Sequence, residues 1–116
     1  MKIGNRDYGF RLTVGASVEI ARLCPDGDLA RIGEAVGKGY GEQADTMAKV
    51  IVALNHGYVA AEEFAGRKAH SLTVENVLSL SPAVFAELSA EAFNAFMGDV
   101  NGEIEVTTEK KAAVEG

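Results

Sequence analysis

The sequence contains no tryptophan, a single cysteine and only two prolines. A lone cysteine excludes an intramolecular disulfide and a metal cluster built from several cysteines, and it fits a reducing cytoplasm. No apolar run reaches the ~18 residues that span a bilayer. The N-terminus also shows no basic region followed by an apolar stretch. We therefore expect no disulfide framework, no membrane association and no secretory signal.

Positive charge is scarce as well, because 11 Lys and Arg residues stand against 17 Asp and Glu residues, a formal net charge of −6. Nucleic-acid binding usually requires a basic patch, so this balance predicts no nucleic-acid partner and weakens the case for a helix-turn-helix regulator. Hydrophobic residues make up 47% of the 116 residues. That proportion supports one domain with a buried core, built mainly from aliphatic side chains.

The first twelve residues have the alternating pattern of a β-hairpin, with apolar side chains at every second position from 8 to 12. A turn at residues 5–6 would pair Ile3 with Tyr8 and Met1 with Phe10, and a longer loop over residues 4–7 is the alternative. Because a two-stranded hairpin is marginal in water, we expect this one to pack on the helices that follow.

The rest of the chain shows helical spacing with breaks at proline and glycine. Gly57 interrupts the longest predicted helix, which indicates a close approach by a neighbouring segment. The predicted fold class is mainly α: a small helical domain over residues 1–98 with a short N-terminal β-hairpin, and a flexible acidic tail over residues 99–116. The first predicted helix is short, follows its N-cap Thr13 and ends before Pro25. The other predicted helices cover residues 29–37, 42–65, 74–80 and 83–97, and Asp28, Thr73 and Ser81 are the N-caps of three of them.

The residues that usually carry chemistry are few and poorly spaced. His56 and His70 do not form a helical zinc-binding pair, and the glycines of residues 33–41 match neither a Walker loop nor a dinucleotide-binding turn. Cys24, between Leu23 and Pro25, is expected to be a small buried residue rather than a nucleophile. We therefore predict no catalytic residue, no cofactor site and no metal site, and hence no enzyme.

One surface feature remains after this search. Beside its core stripe, the longest predicted helix carries a second apolar stripe that includes Val52 and Val59, and Phe93 and Met97 widen the apolar side of the last helix. A helix with more than one apolar face is either deeply buried or meets a partner. Val52, Val59, Phe93 and Met97 are therefore the candidate partner-binding residues, with internal packing as the alternative.

Three segments resemble the small tail assembly chaperones of long-tailed bacteriophages and of prophages in Gram-positive bacteria. They are residues 2–16 (KIGNRDYGFRLTVGA), 47–55 (MAKVIVALN) and 72–78 (LTVENVL). The resemblance covers residues 1–98 and consists of apolar spacing rather than invariant residues, so it carries no active-site motif with it.

The resemblance implies a non-enzymatic protein that acts in the host bacterial cytoplasm and is absent from the mature virion. Its partners would be the helix-rich tape measure protein and the tail tube protein, with a homo-oligomer as a further possibility. The alternative is a structural protein, either a tail completion or a head–tail joining subunit. In such phages a ribosomal frameshift often makes a longer form, and residues 109–111 (EKK) are a place where an adenine-rich codon run would permit one.

Overall fold

The computed structural model describes the backbone of residues 1–37 and 39–115, and the side chains of residues 1–37 and 39–99. It is mainly helical with one short antiparallel hairpin at the N-terminus, which confirms the predicted fold class. The predicted tail over residues 99–116 lies, apart from Asp99, outside the residues whose side chains are described. The elements in chain order are β1 (Lys2–Ile3), β2 (Arg6–Asp7), α1 (Val14–Ala21), two 3₁₀ turns (Pro25–Gly27 and Leu29–Arg31), α2 (Ile32–Val36), α3 (Tyr40–Phe64), α4 (Val74–Leu78) and α5 (Pro82–Glu115).

The hairpin turns earlier than the sequence suggested. Lys2 pairs with Asp7 and Ile3 pairs with Arg6, so the turn lies at residues 4–5 and the predicted pairing of Ile3 with Tyr8 is wrong. The physical reason is Gly4, whose φ of 65° is the left-handed conformation that tight hairpin turns require and that glycine adopts without steric cost. The register therefore follows the glycine rather than the apolar alternation.

Tyr8 continues the hairpin by exchanging two hydrogen bonds with Met1, whereas Arg11 and Leu12 bond to helices. The Arg11 amide donates to the Leu54 carbonyl of α3 at 3.0 Å, and the Leu12 amide donates to the Asp99 carboxylate of α5 at 2.8 Å. A Cβ on Gly57 would lie 2.5 Å from the Arg11 carbonyl oxygen, so this close crossing requires glycine. The predicted close approach at Gly57 is confirmed, and Asp99 belongs with the helical body.

Helices α1, α4 and α5 and the second 3₁₀ turn begin where a side chain accepts a hydrogen bond from a free backbone amide. Thr13 accepts from the Ala16 amide at the start of α1, and Asp28 accepts from Ala30 at the second 3₁₀ turn. At α4, Thr73 and Asn76 form a reciprocal capping box, and at α5 the Ser81 hydroxyl accepts from the Val84 amide at 3.3 Å. All four predicted N-caps are confirmed.

Helix α3 is the centre of the molecule, because α1, α2, α4 and α5 all pack against it. Its buried residues run without a break from Val50 to Asn55, so every side of this stretch is covered. The partly buried Tyr8 and Phe10 of the N-terminal segment pack against the same core. The largest fully buried apolar side chains are Ile20 of α1, Ile51 and Leu54 of α3, Val77 of α4 and Leu88 of α5.

Replacing Thr73 with alanine should lower the free energy of unfolding by about 1 kcal/mol, because α4 loses the acceptor for its Asn76 amide. Chemical denaturation of the two proteins measures the difference. Thr73→Ser keeps the hydroxyl oxygen and should retain most of the stability. Equal destabilisation by serine and alanine would show that the methyl group, rather than the cap, matters at this position.

Candidate partner-binding surface

An exposed apolar face runs along α5. Phe93 is 56% exposed and Met97 is 40% exposed, although both side chains are large and apolar. Ala86 and Ala90 are also exposed and precede them at spacings of four and three residues, so all four lie along one side of the helix. We call these four residues the α5 seam.

A cavity of about 120 Å³ opens beside the seam, between α2 and α5 with α3 as its floor. Apart from Gly33, every residue that lines it is apolar, and Phe93 of the seam forms part of its rim. Such a cavity can accept an aliphatic or aromatic side chain without burying an unpaired polar group. The lining residues are Ile32, Gly33, Val36, Met47, Val50, Leu54, Ala92, Phe93 and Phe96.

The predicted binding residues of α3 do not join this surface. Val52 is only 8% exposed and belongs to the hydrophobic core, which is the internal packing that the sequence left as the alternative. Positions two apart on a helix point about 200° away from each other, so Val52 faces away from Val50, which lines the cavity. Val59 is half-buried on the same side of α3 as Val52. Only Phe93 and Met97 of the four candidates are brought together on exposed surface.

One flank of the seam is acidic. Glu87 and Glu91 are exposed, and each directly follows a seam alanine, so they occupy the same side of α5 one turn apart. Among the described residues, neither carboxylate lies within 4 Å of a basic group, and the ion pairs that are present lie elsewhere. The flank therefore presents negative charge that described side chains leave uncompensated.

Charges on the other elements form local pairs. Arg31 binds Glu34 and Asp26, each at 2.7 Å, and this guanidinium holds the pKa of the Glu34 carboxyl below its ordinary value. Arg67 binds Glu62 and lowers the pKa of that carboxyl in the same way. These pairs lie near the start of α2 and the end of α3, and because each has at least one solvent-exposed partner they contribute little to stability.

The cysteine and the two histidines, the side chains that most often act as nucleophiles or metal ligands, take part in structural contacts. Cys24 is 6% exposed and its thiol donates to the Ile20 carbonyl at 3.3 Å, and burial raises the pKa of the thiol above its ordinary value. Such a thiol is a poor nucleophile. His56 Nε2 lies 3.0 Å from the Leu72 carbonyl oxygen, whereas His70 stacks edge-on to Tyr8 at 6.1 Å. Within the described residues, no three His, Cys, Asp or Glu side chains converge on a possible metal position.

Sequence reasoning found the two large residues of the seam but missed its surroundings. The cavity is lined by residues of α2 and of α5 that are more than fifty positions apart in the chain, and no local pattern indicates that they come to the same place. Ala86 and Ala90 could have been found, because they continue the spacing of Phe93 and Met97 toward the N-terminus of α5.

Compared with protein-family models, curated proteins and solved structures, the chain matches none of them. In the described part of the chain, no helix combines the length and the apolar character that a membrane crossing requires.

Proposed function

We propose that this protein is a non-enzymatic tail assembly chaperone of a long-tailed phage or prophage that binds the tape measure protein and assists tail tube assembly. The observation that carries the proposal is the α5 seam with its apolar cavity, in which Phe93 and Met97 are exposed. The resemblance of residues 1–98 to that family and the helical body with its N-terminal hairpin support the same assignment.

The geometry suits a helical partner. An amphipathic helix that lies along α5 would place successive apolar residues against the seam, with one side chain entering the cavity beside Phe93. Aromatic residues in such positions often dominate binding energy, and the flexible thioether of Met97 can adapt to different partner side chains. A long helical protein offers many segments of this kind, which is what a tape measure protein would present.

The acidic character of the chain fits a chaperoning role. A net charge of −6 opposes association between complexes and keeps a bound apolar segment in solution. In this proposal the protein acts in the host cytoplasm and leaves before the virion is complete. Its presence in purified virions would instead favour the alternative structural subunit.

Co-expression with a tape measure protein from the same phage or prophage tests the proposal. The wild-type chain should co-purify with the tape measure protein, and the double variant Phe93→Ser, Met97→Ser should fold and fail to co-purify. Phe64→Ser is the matched control, because Phe64 is 89% exposed on α3, away from the seam. Absence of co-purification for the wild type, or full binding by the folded double variant, would contradict the proposal.

A further inference from the structure

We propose that the helix bound by the α5 seam is basic on one flank: its apolar stripe covers the seam, and Lys or Arg residues beside that stripe lie against Glu87 and Glu91. This inference deepens the proposed function, since it defines the chemistry of the partner at the same surface. It is carried by the juxtaposition of an exposed apolar stripe, an open apolar cavity and two uncompensated carboxylates on one helix.

The shape of the seam selects a helix that runs along α5. The exposed positions 86, 90, 93 and 97 follow spacings of four, three and four, the pattern by which two helices pack side by side. These positions span about 16 Å of helix, or three turns. In the sequence, apolar residues at positions 100 and 104 continue the same spacing. The small side chains of Ala86 and Ala90 permit close approach of the partner backbone, and Phe93 beside the cavity provides the anchoring contact.

The negative charge beside the seam favours a partner helix that carries positive charge. Glu87 borders the seam, about 90° around α5 from its middle, and Glu91 lies one turn on and farther round, about 130° away. A partner's Lys or Arg beside the apolar stripe would meet Glu87 first while remaining partly solvated. Rim ion pairs of this kind add modest affinity, but they determine which partners are accepted and how the helix is oriented. The net charge of −6 further favours the approach of a positively charged segment over long distances.

The same electrostatics disfavours a second copy of this chain as the occupant. A second copy would bring another −6 of net charge together with the same two flanking carboxylates. Like charges placed together at an interface reduce affinity, and nothing basic borders the seam on the described part of α5 to compensate for them. A basic amphipathic helix from another protein brings neither the net negative charge nor the flanking carboxylates of a second copy.

Two designed helical peptides test the inference with the full chain. Both carry the same apolar stripe at heptad spacing, one with Lys and the other with Glu at the flanking positions. Fluorescence anisotropy should show at least tenfold tighter binding of the Lys peptide, and 1 M salt should remove most of that preference because it screens the rim pairs. Phe93→Ser should weaken binding of the Lys peptide further, by about tenfold or more.

Two charge-reversal double variants distinguish the effect of charges beside the seam from the effect of the protein's net charge. Glu87→Lys with Glu91→Lys should reverse the preference, so that the Glu peptide binds more tightly. Glu19→Lys with Glu75→Lys changes the net charge equally at exposed positions on α1 and α4, and it should leave the Lys peptide preferred. Equal effects of the two double variants, or equal binding of both peptides by the wild type, would overturn the inference. Sedimentation that shows a dimer dependent on Phe93, with no peptide bound, would overturn it in favour of a second copy.

The outcomes also separate this inference from the proposed function. Charge-dependent peptide binding without any binding of the tape measure protein would refute the proposed partner and support the basic-helix surface. Binding of the tape measure protein through Phe93 and Met97, unaffected by Glu87→Lys with Glu91→Lys, would support the proposed function and refute the basic flank.

Discussion

Replacing Asn55 with alanine should lower the free energy of unfolding by about 2–3 kcal/mol, because one buried and two partly buried backbone groups lose their partner together. Asn55 is fully buried on α3, and its amide nitrogen donates to the carbonyls of Gly9 at 3.1 Å and His70 at 3.2 Å. Its carbonyl oxygen accepts from the Leu72 amide at 2.7 Å. One side chain therefore joins the N-terminal segment and the segment before α4 to the central helix.

Urea denaturation of the wild type and of Asn55→Ala measures this effect. Asn94→Ala is the matched control, since Asn94 is exposed on α5 and the substitution brings the same gain in helix propensity. The control should change stability by less than about 0.5 kcal/mol. A similar small change at Asn55 would show that water or a local shift satisfies the three backbone groups, and the bridging role would be wrong.

Replacing Gly57 with alanine should lower the free energy of unfolding by about 2 kcal/mol, even though alanine favours the helix more than glycine does. The added Cβ would lie 2.5 Å from the Arg11 carbonyl oxygen, 2.9 Å from the Thr13 hydroxyl and 3.0 Å from the Ala16 Cβ. Two of these atoms cannot rotate away: the Arg11 oxygen is part of the backbone, and the Ala16 Cβ is bonded directly to the backbone of α1. To remove the clash with the added Cβ, the N-terminal segment must move away from α3, which weakens the hydrogen bond between the Arg11 amide and the Leu54 carbonyl.

Gly41→Ala provides the comparison within the same helix. A Cβ at Gly41 meets nothing within 4 Å, so alanine there should leave stability unchanged or raise it by a few tenths of a kcal/mol. Thermal unfolding of both variants shows the contrast as a lowered midpoint for Gly57→Ala alone. Stabilisation by both substitutions would mean that the crossing segment yields easily and that Gly57 has no packing role.

The candidate partner-binding surface was predictable only in part. Phe93 and Met97 could be identified because helical spacing places them together on the outer edge of α5. Val52 shows the limit of the same reasoning, since a second apolar stripe on α3 has the same appearance in sequence whether it meets solvent or a neighbouring segment. In the structure α3 is surrounded by four helices, which explains why its second stripe is buried.

The sequence by itself determined the local structure: where helices begin at Thr13, Thr73 and Ser81, where glycine follows the ends of α2 and α3, and that the fold is mainly α. These features depend on interactions between residues a few positions apart, so the sequence order alone contains them. The hairpin register, the bridge at Asn55, the burial of Val52 and the cavity beside Phe93 were decided by the tertiary structure. Each depends on which distant segments come together, and that is fixed by the packing of all the helices around α3 rather than by any local pattern.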